Sequence, residues 1–180
     1  MLNRQFDVTA PNTWWVGDIT TVATDEGDLH IAGVLDLGGR EMVGWATAPT
    51  QTTDLVVAAF HAALTRRGTG PSAGHHTDQG AQYTSQGYQA LVADAGVTMS
   101  MSRPCCHDNA PMESFWATLK SELTQHQRYA TRADAQLDLF WYSEVFYNRQ
   151  RLHSTLGYQS PATYLARWGH DNPPVHETQT

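Results

Sequence analysis

The apolar residues of this chain fall into three short runs before residue 50 and recur at helical spacing after it. Residues 14–22 (W-W-V-G-D-I-T-T-V) are rich in aromatic and β-branched types and predict a strand. Alternation along it places Val16, Asp18 and Thr20 on one face. Residues 29–37 (L-H-I-A-G-V-L-D-L) form a nearly continuous apolar run, the pattern of a buried central strand. Gly38-Gly39 signals a turn, and residues 40–48 return as a third strand. Three strands on short links predict an antiparallel meander.

The period then changes. Leu55, Ala58, Ala59, Ala62 and Ala63 predict a helix over residues 52–66, opened by Thr53 or Asp54 and ended by Gly68, Gly70 and Pro71. Residues 73–77 read as a short strand leading to Asp78, residues 85–95 as a helix capped by Ser85, and residues 97–101 as a strand. Helices follow over 111–126 and 131–148, the second capped by Thr131 with Asp134 in its first turn. A last helix spans 160–168, with Ser160 as cap and Pro161 at its first position. The element order predicts an α/β fold, a mixed five-stranded sheet flanked by helices. Residues 1–13 read as a lead-in, 14–168 as one core and 169–180 as a disordered tail.

A chain of 180 residues fits one domain with its own core. It has no unbroken apolar stretch of ~18 residues, so no transmembrane helix is expected. Asp7, Asn12 and Asp18 interrupt the first twenty positions, which argues against a signal peptide. The two cysteines, Cys105 and Cys106, are adjacent and cannot staple distant segments; they read as reduced thiols of a cytoplasmic protein. The net charge of -7, from 11 basic and 18 acidic side chains, argues against non-specific nucleic-acid binding. The charge is uneven, however. Residues 1–99 hold four basic and ten acidic side chains, whereas residues 100–168 hold seven basic and six acidic. Residues 146–168 carry Arg149, Arg151 and Arg167 and no acid, and the only lysine in the chain is Lys120.

Three carboxylates stand at informative places. Asp18 lies inside the first strand, where a charge needs a cation, a metal or an edge position. Asp78 follows the fourth strand, where ligands of α/β sheets bind, although the Gly80 turn and the Ser85 cap also account for an acid there. Glu113 opens a helix; the helix dipole alone favours an acid at that point. Lys120 lies seven residues on, two turns along the same face, either as a phosphate contact or as a solvated surface lysine. Taken together, two Asp and one Glu from separate elements can converge. Packed carboxylates repel and call for divalent cations, and an all-oxygen donor set selects Mg²⁺ or Mn²⁺. Two such ions suit in-line displacement at phosphorus. His75, His76 and His107 lie nearby but lack a zinc-binding spacing.

These residues sit in strings that resemble a known family. W-V-G-D-I-T (15–20), V-L-D-L (34–37), V-G-W-A (43–46), T-T-D-L-V (52–56), H-T-D-Q-G-A-Q-Y-T-S (76–85), S-M-S-R (100–103), D-N-A-P-M-E-S-F (108–115), L-K-S-E-L (119–123) and V-F-Y-N-R-Q-R-L-H-S-T-L-G-Y-Q-S-P (145–161) occur in order. In these the chain resembles the DDE transposase catalytic (integrase core) domain of the bacterial insertion-sequence family three, within the retroviral-integrase superfamily. The resemblance covers about residues 3–165. It implies a ribonuclease H-like fold and a catalytic and metal-binding triad of Asp18, Asp78 and Glu113, holding Mg²⁺ or Mn²⁺, two ions in all. It implies strand cleavage and strand transfer during transposition and DNA integration. Lys120, Asn109, Asn148, Arg149, Arg151 and His153 are its implied DNA contacts. The closing string also reads as a helix end packed by Tyr147 and Leu156 with its arginines outward.

The implied partners are terminal inverted repeats and target DNA, an upstream helix-turn-helix region or protein expected outside this chain, and further copies of the chain on DNA. No membrane partner is implied, and the location is the bacterial cytoplasm, on the nucleoid. The chain departs from the family at V-L-D-L-G-G-R (34–40), which replaces the usual Phe-Ser before Arg40, and in the loop before Glu113. Here 34 residues separate Asp78 from Glu113, one fewer than usual, with Pro104 and Cys105 in the altered stretch. That loop leads into the Glu113 helix and motivates one alternative, a catalytically dead remnant acting only in DNA binding and assembly; a second alternative is a nuclease on the same fold that cuts without joining. Asp36 reads as a structural turn acid rather than a further ligand. The acidity is thus a sum over unlike parts, three of whose charges are the triad itself.

Overall fold

The structure is a computed structural model that describes residues 8, 10–101 and 109–173. Five strands form one sheet in the order β3-β2-β1-β4-β5. β1 (Trp14–Val22), β2 (Leu29–Asp36) and β3 (Met42–Ala48) are the antiparallel meander. β4 (Gly74–Thr77) and β5 (Met99–Met101) add in parallel on the other side of β1. β1 is therefore central, flanked by an antiparallel and a parallel neighbour.

The helices divide between the two faces. α1 (Thr53–Arg67) and α3 (Gln86–Asp94) cover one face, packing Phe60 and Tyr88 over Trp15, Val34 and Val43. α4 (Ala110–Glu122) and α5 (Arg132–Phe140) cover the other, packing Met112 and Leu139 over Val16, Ile31 and Leu35. Alternation along β1 explains the division: Trp15 and Val16 are both fully buried and belong to opposite cores. Asp18 shares the face of Val16 and so lies on the α4 side of the sheet.

Several elements end differently from the sequence pattern. A short helix, α2 (Ala81–Thr84), precedes α3. α4 ends at Glu122, followed by a single 3₁₀ turn at Thr124–His126. α5 has the expected cap, completed as a reciprocal pair: Thr131 accepts from the backbone of Asp134 and Asp134 from that of Thr131. It then widens into a π-helical segment at Trp141–Tyr147. The last helix, α6 (Pro161–Asp171), runs three residues into the segment expected as a tail.

Asp36 is a structural turn acid. It is fully buried, accepts from the backbone N–H of Asn12 at 2.8 Å and of Gly38 at 3.1 Å, and pairs with Arg67 at 3.0 Å. Arg67 also pairs with Glu41, and Arg66 pairs with Glu41 and Glu144. This network ties the end of α1 to the β2–β3 turn and to the π segment. No helix of the described residues is long and apolar enough to cross a membrane.

Candidate active site

Asp18 and Asp78 are neighbours by register. Val16 pairs with His76 across the parallel β1–β4 ladder, so two residues further on each strand bring the two acids side by side. Asp78 is exposed just past the end of β4. Its Oδ1 accepts from the backbone N–H of Gly80 at 2.9 Å, the turn that leads into α2. The turn chemistry and the placement beside Asp18 are thus properties of one residue.

Glu113 comes from the opposite direction. α4 crosses β1 and β2 closely because Gly33, the partner of Asp18 in the β1–β2 ladder, has no side chain; a Cβ there would lie 2.9 Å from the Trp116 ring. Trp116 donates its indole N–H to Oδ2 of Asp18 at 3.1 Å. Glu113, three residues earlier, is exposed on the same flank of the helix.

Asp18 responds to its surroundings. Burial pushes the Asp18 carboxyl up to about 6, and the negative charges of Asp78 and Glu113 push it the same way, against hydrogen bonds from Ile19 and Trp116 that lower it. Among the described residues, no group of three His, Cys, Asp or Glu side chains closes tightly enough to hold one metal ion together. The donor set is nonetheless all oxygen, and it concentrates negative charge around a partly buried carboxylate. That arrangement fits a hard divalent cation and no soft one.

The residues expected to touch DNA divide. Lys120 lies two turns along α4 from Glu113, half-buried and without an ion pair among the described residues. Arg149 is exposed. Arg151 forks onto Glu122, with Nε 3.0 Å from Oε1 and Nη2 2.9 Å from the same oxygen, and this pairing holds Glu122 below its usual range. The His153 ring packs edge-on against Tyr147, and burial, with the charges of Arg151 and Arg40, drives it down to about 4.

Two of the residues expected to touch DNA are built into the fold. Asn148 is buried; its Oδ1 accepts from the N–H of Met42 at 2.9 Å and its Nδ2 donates to the Met42 carbonyl at 3.0 Å, so its amide faces β3. Asn109 is also buried. It occupies the cap position of α4, but its side chain crosses to β1 and donates to the Gly17 carbonyl at 3.1 Å. It therefore sets α4 against the strand that carries Asp18. His75 is fully buried, bonded to Tyr88 at 2.7 Å and pushed down to about 3 by burial, while His76 meets Ser100 at 3.0 Å. Cys105, Cys106, His107 and the altered loop lie outside the described residues.

Trp116 is the site residue that the sequence pattern hides. It sits on a stripe with Met112 and Leu119 and reads as core; only its N–H distinguishes it.

The Integrase core domain family model matches residues 8–105, and a second model of the same description matches 95–161. The chain is 45% identical over 171 residues to the insertion element IS600 uncharacterized 31 kDa protein of Shigella sonnei, covering 93% of this chain and 62% of that protein. It is 40% identical over 165 residues to the transposase InsF for insertion sequence IS3A of Escherichia coli, covering 91% of this chain and 57% of that protein. The chain thus spans about three fifths of the length of these curated relatives. The HTLV-2 integrase catalytic core domain in complex with magnesium superposes with a TM-score of 0.67 over 87% of this chain and 98% of that one, at 16% identity. The shared architecture is the ribonuclease H-like fold, and with the family model matched across more than half of its length, the chain belongs to the integrase core domain family.

Proposed function

We propose that this chain is the catalytic domain of a DDE-type DNA transposase, a polynucleotidyl transferase that cleaves DNA strands and joins them to target DNA. One observation carries the reading: Asp18, Asp78 and Glu113, from two strand positions and a helix, share one electrostatic site, and Asp18 feels both of the others.

Asp18, Asp78 and Glu113 would hold Mg²⁺ or Mn²⁺, which supplies Lewis-acid activation of the attacking and leaving oxygens. Each element of the chain has a distinct task. β1 fixes Asp18 from below, and the Trp116 indole fixes one of its oxygens from the side. The Gly80 amide holds one oxygen of Asp78. α4 presents Glu113 and Lys120 on one flank, so that a carboxylate and a phosphate-binding cation travel as a rigid pair. Arg149 adds an exposed cation on the α5 side. The reading carries with it terminal inverted repeats and target DNA as substrates, a helix-turn-helix region as partner, assembly of several copies on DNA, and a bacterial cytoplasmic location on the nucleoid.

The test is a strand-transfer assay in Mg²⁺ with labelled terminal repeats and a target plasmid. The chain joined to its helix-turn-helix partner gives joined products, and Glu113→Gln abolishes them while leaving circular dichroism and melting unchanged. Joined products from Glu113→Gln would overturn the assignment. Cleavage without joining identifies a nuclease instead, and Mn²⁺ titration calorimetry without heat identifies a metal-incompetent remnant.

A further inference from the structure

On the flank of α4 opposite Glu113 and Lys120 lies a cleft of about 380 Å³. Ser114 and Thr118 of α4, Arg40 of the β2–β3 turn, and Tyr147, Arg151 and His153 are among the residues that line it. Helical geometry makes the separation plain: Glu113 and Ser114 are consecutive, about 100° apart around the axis, so the helix stands between the two sites.

The lining is unusual for so acidic a chain. Among the described residues no carboxylate lines the cleft, while two arginines and a histidine do. Arg40 makes no ion pair among the described residues. The turn holds it at φ 53, a left-handed backbone, which fixes the position from which its side chain reaches the cleft. Arg151 uses Nε and Nη2 on Glu122, which leaves Nη1 for another acceptor. It is braced over the Tyr147 ring at 5.9 Å. Among the described residues, the buried Nε2 of His153 has no partner. The positive field of the two arginines also keeps this imidazole neutral.

We propose that this cleft is a second phosphate site, which holds a backbone phosphodiester of the DNA strand across α4 from the carboxylates. The inference rests on the DNA-transposase reading above and adds to it Arg40, Ser114 and Thr118, none of which belongs to the triad or to the Lys120 flank. Arg40 supplies a charge that no described carboxylate compensates, Arg151 a fixed donor edge, and the Ser114 and Thr118 hydroxyls neutral donors. The volume also admits the sugar attached to the phosphate, lying on Tyr147. A strand held at both places runs over the outer face of α4, which gives the scissile phosphate its direction relative to Asp18.

The experiment is a salt titration of duplex DNA binding by fluorescence anisotropy, comparing the unmodified chain with Arg40→Asn. Asn removes the charge and tolerates the left-handed backbone. Arg40→Asn is expected to lower the slope of log K against log salt by about one and to weaken binding several-fold at ~50 mM salt, equally for all sequences. In parallel, phenylglyoxal modification of the unmodified chain, read by mass spectrometry, is expected to lose reactivity at Arg40 when DNA is bound. This second readout decides the matter if the variant misfolds. Binding with an unchanged slope, or with Arg40 still reactive in the complex, overturns the cleft and leaves the transposase reading standing. No DNA binding by the unmodified chain at ~50 mM salt also overturns the cleft, whereas the transposase reading falls only if the chain joined to its helix-turn-helix partner gives no joined products.

Discussion

Trp116 reaches from the buried side of α4 to place its indole N–H 3.1 Å from Oδ2 of Asp18. This bond joins the helix that carries Glu113 to the strand that carries the central carboxylate. It also opposes the burial that raises Asp18, because a donor favours the ionised form. Trp116→Phe keeps much of the ring and removes the donor. The Asp18 carboxyl is then expected to titrate above about 6, as followed by carboxyl ¹³C NMR. The lost ring volume against Gly33 costs roughly 1–3 kcal/mol of stability. An Asp18 titration that does not move would show that the bond has no electrostatic role.

The raised Asp18 sets a pH dependence. The folded state binds the Asp18 proton more tightly than the unfolded state, whose value is the ordinary 3.8. Acid therefore favours the fold: the stabilisation is full below 3.8 and is lost as pH rises through about 6. At pH ~7.5 in chelator, Asp18→Asn is expected to be more stable than the parent by roughly 1–3 kcal/mol, a rise in melting temperature of several degrees. The difference shrinks toward zero near pH ~4. Mg²⁺ reverses the order, raising the melting point of the parent and not of the variant. A variant less stable than the parent at neutral pH in chelator would contradict the account.

The parts of this design that announce themselves in the sequence are those with a local signature. The nine residues of β1 alternate between two cores, so their strand is visible and Asp18 stands out as a charge inside it. Asp78 follows a short strand and opens a Gly80 turn, and Glu113 and Lys120 repeat at helical spacing. What stays hidden depends on pairings between distant segments. Asn148 looks like a surface polar residue in a basic string until Met42, 106 positions away, is placed against it. Arg151 looks like a free cation until Glu122 is seen beneath it. The π widening at Trp141–Tyr147 is invisible for the same reason. It sets the aromatic side chains Tyr142 and Tyr147 into the core and turns Asn148 toward β3, a demand made by the sheet rather than by the helix.

Asn148 is thus a strand clamp. The β2–β3 ladder shifts register between Val34 and Leu35, and both backbone groups of Met42 bond to the amide of Asn148. Asn148→Ala leaves a buried N–H and a buried C=O without partners and is expected to cost roughly 2–4 kcal/mol by urea unfolding. Asn148→Asp is expected to be worse at neutral pH, since a carboxylate oxygen then faces the Met42 carbonyl, and to recover as pH falls. Equal destabilisation by Ala and Asp at every pH would argue against the two-way amide pairing.

Backbone proximity gives the last prediction a built-in reference. α1 lies so close to β3 that a Cβ on Gly44 would sit 2.3 Å from the Ala59 carbonyl oxygen and 2.4 Å from the Ala63 nitrogen. These are helix backbone atoms and cannot rotate away, so Gly44→Ala must push α1 off the sheet. The expected loss is roughly 2–4 kcal/mol. Gly87 is chemically the same residue in the opposite setting: it lies on helix α3 with nothing within 4 Å of its Cβ position. Gly87→Ala is expected to stabilise by up to about 1 kcal/mol through helix propensity and a less flexible unfolded chain. Thermal and urea unfolding of the two variants side by side checks the packing of α1 independently of any activity. Two shifts of the same sign would contradict the close approach of α1 to β3.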